Sequence, residues 1–180
     1  VSLGSSFRGA MLRLPWLAIT CLGGVCVSLI VTRFEGTLSQ IIALASFSPM
    51  IAGMGGNVGS QTATIVVRGL ATGEIGDDDQ PATIRREVSV GAMLGLFYGI
   101  AVGLLSGLLY HARHGWKFGA VVGISMALSI LVSSALAAIS PLILRRFKID
   151  PATAAGPMTS TTTDLLSNAF YFTLATWLLL

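Results

Sequence analysis

Long stretches without a charged residue constrain this sequence more than any other feature. They occupy residues 14–32, 36–67, 88–110 and 118–144, and a fifth stretch at 151–180 is interrupted only by Asp164. Charged residues make up 11% of the chain and hydrophobic residues 53%, whereas about 25% of a soluble domain is charged. Each stretch is longer than the roughly 17 residues that a helix needs to cross a bilayer. The sequence therefore predicts five transmembrane helices.

The distribution of basic residues predicts how these helices are oriented. The stretches are continuous rather than alternating, so an all-α membrane protein is favoured over a β-barrel. Five spans put the two termini on opposite sides of the membrane. The basic residues on the N-terminal side are Arg8, Arg13, Arg68, Arg85, Arg86, Arg145, Arg146 and Lys148; those on the other side are Arg33, Arg113 and Lys117. The positive-inside rule then predicts a multi-pass protein of the cell membrane with a cytoplasmic N-terminus. The net charge of +3 reflects this orientation, and no nucleic-acid partner is predicted.

The chain divides into two parts at the first stretch. Residues 1–13 are predicted to be a cytoplasmic connecting segment, and residues 14–180 a five-helix transmembrane pore domain. The second stretch is overlong and contains Pro49, which predicts a break or kink at that residue. A short outward loop is expected around residues 111–117.

Asp164 is the only carboxylate inside a predicted span, and the register of the fifth helix puts it near the middle of the bilayer. An acid at that depth costs roughly 2.5 kcal/mol or more, so it normally faces water, a partner or an ion. Polar or small residues recur around it at helical spacing and predict a water-lined stripe: Gly156, Pro157, Ser160, Thr161, Ser167, Asn168 and Tyr171. The alternative is a protonated Asp164 that is hydrogen-bonded to another helix.

The second helix carries two patterns. Gly55, Gly59 and Ala63 form one ladder of small residues, and Ala52, Gly56 and Ser60 form another; such ladders let helix backbones approach closely. Asn57, Gln61, Thr64 and Arg68 follow one another at spacings of four, three and four residues. This polar line can present oxygens to a hydrated cation, or it can form a hydrogen-bonded clasp with the fifth helix.

These residues resemble the MgtE-type magnesium channels in their transmembrane part. The run from Pro49 to Gln61, with Gly-Gly-Asn-x-Gly-x-Gln, is similar to the family's second-helix motif, and it continues into 68–71, Arg-Gly-Leu-Ala. Pro157 followed by residues 161–166, Thr-Thr-Thr-Asp-Leu-Leu, is similar to the fifth-helix motif. The resemblance covers essentially the whole chain.

The resemblance implies a homodimer whose second and fifth helices line a pore. It makes Asp164 the central magnesium ligand and places Gly156, Ser160, Thr161, Asn57, Gln61 and Thr64 along the pore. It also implies cytoplasmic magnesium-sensing domains, which are absent from this chain. One departure concerns Gly156, because the family often has Asn before the proline, and a side-chain contact is lost there.

The function predicted is the passage of hydrated Mg²⁺ into the cytoplasm, with membrane lipid and a second copy of the chain as partners. The ion's chemistry agrees, since Mg²⁺ keeps several waters and binds one or two carboxylates. A proton- or sodium-coupled secondary transporter is the first alternative, and a purely structural membrane subunit the second. Enzyme motifs are absent from the sequence. His111 and His114 are interpreted as interfacial residues rather than a metal site, and Asp77, Asp78 and Asp79 as a solvated loop.

Overall fold

The computed structural model describes residues 6–180, and their side chains from residue 9 onward. Within that part of the chain all regular structure is helical. The helices are α1 (Ser6–Arg33), α2 (Glu35–Gln40), α3 (Ala43–Thr72), α4 (Gln80–Arg146) and α5 (Pro151–Leu179). The predicted all-α class is confirmed. The structure also has five helices, but they do not match the five predicted spans one to one, because α2 has six residues and α4 joins two of those spans. The boundaries differ from the prediction in three places.

The first difference is in the N-terminal segment. α1 begins at Ser6 and continues through residue 13 without a break, with Pro15 inside it. The described part of the predicted connecting segment is thus continuous with the first helix. Residues 1–5 of that segment lie outside the described residues.

The second difference is the position of the break in the second stretch. The helix is interrupted at Ile41, where φ is −132° and ψ is 75°, and α3 begins at Ala43. Pro49 lies inside α3 without ending it. The predicted break at Pro49 is therefore wrong. A proline inside a helix removes one backbone hydrogen bond, here the one to the carbonyl of Ala45, and α3 continues past it.

The third difference joins two predicted spans. α4 contains 67 residues and would be about 100 Å long if straight, roughly three times the hydrocarbon thickness of a bilayer. It bends at Gly115, where φ is 68° and ψ is −176°, a conformation open essentially to glycine alone. The separate loop predicted around residues 111–117 is wrong, because residues 111–114 are helical and the reversal is concentrated at Gly115.

The two arms of α4, residues 80–114 and 116–146, lie antiparallel and very close to each other. A Cβ added at Gly99 would lie 2.7 Å from the carbonyl oxygen of Gly123, and one added at Gly103 would lie 3.0 Å from that of Gly119. The glycines at the contact recur every fourth residue along the first arm: Gly91, Gly95, Gly99, Gly103 and Gly107. Backbone contact through this glycine ladder holds the hairpin together.

Short connections fix the ends of α4 and α5. Lys148 has a positive φ of 58°, and the backbone N–H of Ile149 donates to the carbonyl of Leu144 over 3.0 Å, which ends α4. Asp150 then caps α5, its side chain accepting from the N–H of Ala152 over 3.0 Å. Pro151 occupies the first position of α5, where its missing N–H costs nothing.

The core is divided into two apolar clusters with a layer of hydroxyl groups between them. The larger cluster lies near the bend of α4 and includes Leu44, Phe118 and Phe172. The smaller one, around Leu144 and Ala154, lies at the opposite end of the bundle. That end also holds Arg68, Arg85, Arg86, Arg145, Arg146 and Lys148. We call it the Arg-rich end.

Hydropathy separates the helices into two groups. Two helical segments are long and apolar enough to cross a membrane, Gly9–Arg33 and Gln80–Arg146, each with a window of mean hydropathy 2.2. Within the described residues α3 and α5 do not meet that criterion, because they carry many Gly, Ser, Thr and amide residues. Hydropathy alone therefore does not support all five predicted spans, and the two long helices that do not meet the criterion, α3 and α5, are those with the polar motifs.

Candidate functional site

Asp164 lies near the middle of α5, about 20 Å along the helix from Pro151. The side chain is half-buried. The backbone carbonyl of Asp164 accepts a hydrogen bond from the Asn168 side chain over 2.8 Å. The Asp164 carboxyl group neither donates nor accepts a side-chain hydrogen bond within the described part of the chain, so these residues do not support the hydrogen-bonded alternative. The carboxylate oxygens are left available to water, an ion or a second copy.

The polar stripe around Asp164 is divided between two environments. Gly156, Pro157 and Ser160 are half-buried like Asp164. Ser167, Asn168 and Tyr171 are buried, and their hydrogen bonds go to the protein itself. The prediction that all of the stripe faces water is wrong for these three residues, which anchor α5 to α3 and α4.

Two of the predicted lining residues differ from expectation in their contacts. The Ser160 hydroxyl donates back to the carbonyls of Gly156 and Pro157, over 3.1 and 3.3 Å. Thr161 is 8% exposed, and its methyl group packs against Gly23 of α1. Its hydroxyl has no hydrogen-bond partner among the described residues. Thr161 is therefore covered by α1 in the single chain, although it lies one helical turn from Asp164.

One side of α3 is open along most of the helix. Eight of the exposed residues of α3 make up what we call the open face of α3: Pro49, Met50, Gly53, Asn57, Ser60, Gln61, Thr64 and Arg68. The side chains of Asn57 and Gln61 make no hydrogen bond to the described part of the chain. Thr64 donates only to the carbonyl of Ser60 in its own helix, over 2.7 Å. The open face thus carries polar groups that the described residues of one copy do not satisfy.

The clasp predicted as an alternative for Asn57, Gln61 and Thr64 is not formed. A different pair joins α3 to α5, since Ser48 donates to the side-chain oxygen of Asn168 over 2.6 Å. The hydrogen bond between α3 and α5 therefore lies about two and a half turns from Asn57, toward the start of α3. The Asn57 and Gln61 amides of the open face remain available to bind water, an ion or a second copy of the chain.

The two ladders of small residues have different roles. A Cβ added at Gly55 would collide with the Ser129 hydroxyl and lie 2.9 Å from the Thr163 methyl group, and Gly59 is similarly close to Ser133 and Thr159. Nothing lies within 4 Å of a Cβ added at Gly56. The first ladder therefore packs α3 against α4 and α5, whereas the second borders the open face.

α3 and α5 run antiparallel, and their contacts set the level of each site residue. Gly55 lies opposite Thr163, and Gly59 opposite Thr159. Asp164 is therefore close to the level of Gly55, in the middle of both helices. A groove of about 350 Å³ follows toward the Arg-rich end, and it brings Ser60, Thr64 and Arg68 together with Gly156.

A layer of buried hydroxyl groups supports the back of α5. Ser129 donates to the carbonyl of Ile51 over 3.0 Å and lies 2.6 Å from the Ser167 hydroxyl. Thr163 donates to Ser133 over 2.9 Å, and Ser140 lies 3.1 Å from Thr159. The layer flanks Asp164 on its protein side, which fixes the rotation of α5 about its axis.

The lesser polar groups do not form a metal site. His111 contacts the Trp116 ring, whereas His114 stacks on Tyr110 and Phe118, so the two imidazoles do not converge. Asp77 and Asp79 accept hydrogen bonds from Gln80 and Gly76 within their own exposed loop. Among the described residues, no group of three or more His, Cys, Asp or Glu side chains is arranged to hold a metal ion.

Sequence reasoning missed two features. The glycine ladder of α4 was visible as a repeat of four in residues 91–107, and it predicts a close partner helix. Glu87 lies outside the five uncharged stretches, but it is buried, 5% exposed, behind α3. Its position one residue before an uncharged stretch gave little sign of this burial.

The comparison with known families decides the assignment. A family model described as "MgtE: Divalent cation transporter" matches residues 48–174, which include the open face of α3 and Asp164. The chain belongs to the MgtE family. The resemblance inferred from the two helix motifs is thereby confirmed. Membership places the chain in a family of membrane transporters, which agrees with the prediction that it is not an enzyme.

Relatives named "Magnesium transporter MgtE" are found in several bacteria. The protein of Bacillus subtilis is 34% identical over 175 residues, which is 95% of this chain and 37% of the relative. The protein of Thermus thermophilus is 35% identical over 167 residues, or 93% of this chain and 36% of the relative. That of Enterococcus faecalis is 30% identical over 168 residues, with 93% and 36% covered. The chain thus spans little more than a third of these relatives.

Proposed function

We propose that this chain forms half of a homodimeric Mg²⁺ channel in the cell membrane, with Asp164 as the central ion ligand. The observation that carries the proposal is that the Asp164 carboxylate lies mid-helix without a hydrogen-bond donor among the described residues. A charged group in that position is stable in a membrane only if it meets water, an ion or a partner. The names of the relatives support Mg²⁺ as the ion.

The open face of α3 supports a dimer. Its amides at Asn57 and Gln61 are exposed and unpaired within the described chain, and amides are costly in hydrocarbon. A second copy facing the same side encloses these groups and turns two grooves into one water-filled passage. Two Asp164 carboxylates then match the double charge of Mg²⁺, while Asn57, Gln61, Thr64, Ser60 and Gly156 contact the ion's waters. Lipid covers the remaining outer surface.

Thr161 can line the proposed pore only if α1 moves. It was predicted to line the pore, but α1 covers it through Gly23. We assign its unpaired hydroxyl to the pore only in a conformation in which α1 has moved away from α5. In the conformation described here, the lining of α5 consists of Gly156, Ser160 and Asp164.

The direction of transport follows from the predicted orientation. With the Arg-rich end in the cytoplasm, the groove beside Arg68 is the inner mouth of the pore. Inward movement of a divalent ion gains about 4.6 kcal/mol per 100 mV of membrane potential, inside negative, which is twice the value for a single charge. Cytoplasmic domains outside this chain are proposed to regulate opening.

The test is Mg²⁺ influx into vesicles that contain the purified protein. We expect the Asp164→Asn variant, which keeps the size of the side chain and removes the charge, to abolish the influx. Asp78→Asn is the matched control, because Asp78 lies in the exposed loop before α4, and its influx stays unchanged. Unchanged influx in Asp164→Asn contradicts the proposal.

A coupled transporter is separated from a channel by the same assay. Channel flux follows the Mg²⁺ gradient and the membrane potential alone. If influx instead requires a proton or sodium gradient, Asp164 carries the coupling ion and the secondary-transporter alternative replaces the channel.

A further inference from the structure

Glu87 is a buried acid that the proposed pore does not use. It lies in the first arm of α4, 5% exposed, on the side of α3 opposite the open face. The hydroxyl of Thr62, itself 3% exposed, donates to its carboxylate over 3.2 Å. This is the hydrogen bond that the Glu87 side chain receives from the described part of the chain. A carboxylate is among the most costly groups to bury, so the burial of Glu87 indicates that it has a specific role.

The position of Thr62 on α3 suggests what that role is. Successive residues of a helix are about 100° apart, so Thr62 points into the protein while its neighbour Gln61 points to the open face. Rotation of α3 about its axis therefore moves Thr62 and Gln61 together. Whatever holds Thr62 also sets the direction of Gln61 and of Asn57 one turn earlier.

The hydrogen bond between Thr62 and Glu87 also connects the half of α3 that follows Gly59 to the other helices. Toward the start of the helix, Ser48 bonds to Asn168, and the carbonyl of Ile51 accepts from Ser129. Beyond Gly59, the side chains of Thr64 and Thr72 bond only within α3. Among the described residues, Thr62 and Glu87 supply the one side-chain hydrogen bond between α3 and another helix in this half.

We propose that Glu87 is a positioning residue, which through Thr62 fixes the rotation of α3 and thereby sets the discrimination of the pore among hydrated divalent cations. The inference rests on the proposed function, because it assigns the open face to the ion's waters. Discrimination between hydrated ions depends on where fixed oxygens lie, and a rotation of a few tens of degrees displaces Asn57 and Gln61 from the passage. Glu87 itself touches no ion.

The test uses variants of the pair that differ only in the hydrogen bond. Thr62→Val keeps the shape of the side chain and removes the hydroxyl, whereas Thr62→Ser keeps the hydroxyl. Glu87→Gln keeps an acceptor oxygen for Thr62. Thr72→Val is the matched control, because the Thr72 hydroxyl bonds only within its own helix. Each variant is purified, reconstituted in vesicles, and assayed for Mg²⁺ and Ca²⁺ influx per folded protein.

Variants that lose the hydrogen bond between Thr62 and Glu87 should change the selectivity for Mg²⁺ over Ca²⁺, and variants that keep it should not. We expect Thr62→Val to lower the ratio of Mg²⁺ to Ca²⁺ influx by about tenfold. Thr62→Ser, Glu87→Gln and Thr72→Val keep the ratio of the unmodified protein. A role in folding alone lowers the amount of folded protein and leaves the ratio unchanged, and that result overturns the proposal. If Thr62→Val does not fold, Glu87→Asp is used, since its shorter side chain withdraws the acceptor without removing it.

A second readout follows the rotation directly and does not depend on ion flow. Gln61→Cys is introduced together with Cys21→Ala and Cys26→Ala, and its reaction rate with a water-soluble thiol reagent is measured. Adding Thr62→Val is expected to slow this reaction by about tenfold. An unchanged rate overturns the positioning role even if Mg²⁺ transport is confirmed. Conversely, if Asp164→Asn leaves Mg²⁺ influx intact, the proposed function fails while the labelling rates still report on Thr62 and Glu87.

Discussion

Ser48 of α3 donates a hydrogen bond to the side-chain oxygen of Asn168 in α5 over 2.6 Å. The amide group of Asn168 in turn donates to the backbone carbonyl of Asp164, one helical turn away, over 2.8 Å. A continuous hydrogen-bonded path therefore connects the start of α3 with the residue proposed to bind the ion. This path restricts how α5 can rotate relative to α3.

Replacing Asn168 by Ala removes both of these hydrogen bonds. Because Asn168 is 4% exposed, we expect a loss of about 1–3 kcal/mol in the free energy of unfolding. Thermal unfolding of the protein in detergent measures this. Thr173→Ala, at an exposed position one turn further along α5, is the control and should change the melting temperature little. Equal melting temperatures for the two variants contradict the role given to Asn168.

The two small-residue ladders of α3 provide a matched pair of substitutions. Gly55→Ala places a methyl group against the Ser129 hydroxyl and the Thr163 methyl group, so we expect it to destabilise the protein by about 1–3 kcal/mol. Gly56→Ala adds the same methyl group where nothing lies within 4 Å. Its stability should equal or exceed that of the unmodified protein, because Ala favours a helix more than Gly does. A higher melting temperature for Gly55→Ala than for Gly56→Ala would contradict the roles given to the two ladders.

The reversal of α4 depends on the backbone conformation of Gly115. A Cβ there meets no atom within 4 Å, but the φ of 68° with ψ of −176° is strained for any other residue. We expect Gly115→Ala to cost about 1–3 kcal/mol. Gly24→Ala, in α1 and equally free of contacts, is the control for the added methyl group. If both variants unfold at the same temperature, the bend is not set by Gly115.

Binding of Mg²⁺ should stabilise the folded protein through Asp164. A ligand present at 100 times its dissociation constant adds about 2.7 kcal/mol to the free energy of unfolding. We therefore expect MgCl₂ to raise the melting temperature above that in NaCl of equal ionic strength. Asp164→Asn should remove this difference, while Asp78→Asn should retain it. A Mg²⁺-dependent shift that persists in Asp164→Asn would locate the ion elsewhere.

Much of the fold was predictable because a membrane restricts the choices. Charge-free stretches can only be helices or barrel strands in lipid, and the all-α class followed from that. The breaks were harder, because they depend on the conformation of single residues. Ile41 interrupts the second stretch although its side chain suits a helix, and Gly115 bends α4 where a loop was expected.

The exposure of the candidate site residues could be predicted for the helices that carry them but not for each side chain. Asp164, Asn57 and Gln61 are at exposed or half-buried positions, as their chemistry requires. Thr161 and Ser167 differ, since each has the same spacing from Asp164, three residues, and both are buried against neighbouring helices. Periodicity gives the angle of a residue on its own helix, whereas burial depends on where the other helices lie. That information was not in the local sequence.

The central claim is that Asp164 from two copies of the chain meets at one axis around a hydrated divalent cation. A crystal structure of the protein grown with Mn²⁺, which prefers similar oxygen ligands and scatters anomalously, tests this most directly. The account predicts an anomalous peak on the two-fold axis between the two Asp164 carboxylates, with the open faces of α3 lining the same passage. A dimer in which the two Asp164 side chains lie apart and face lipid, with no peak between them, would contradict it.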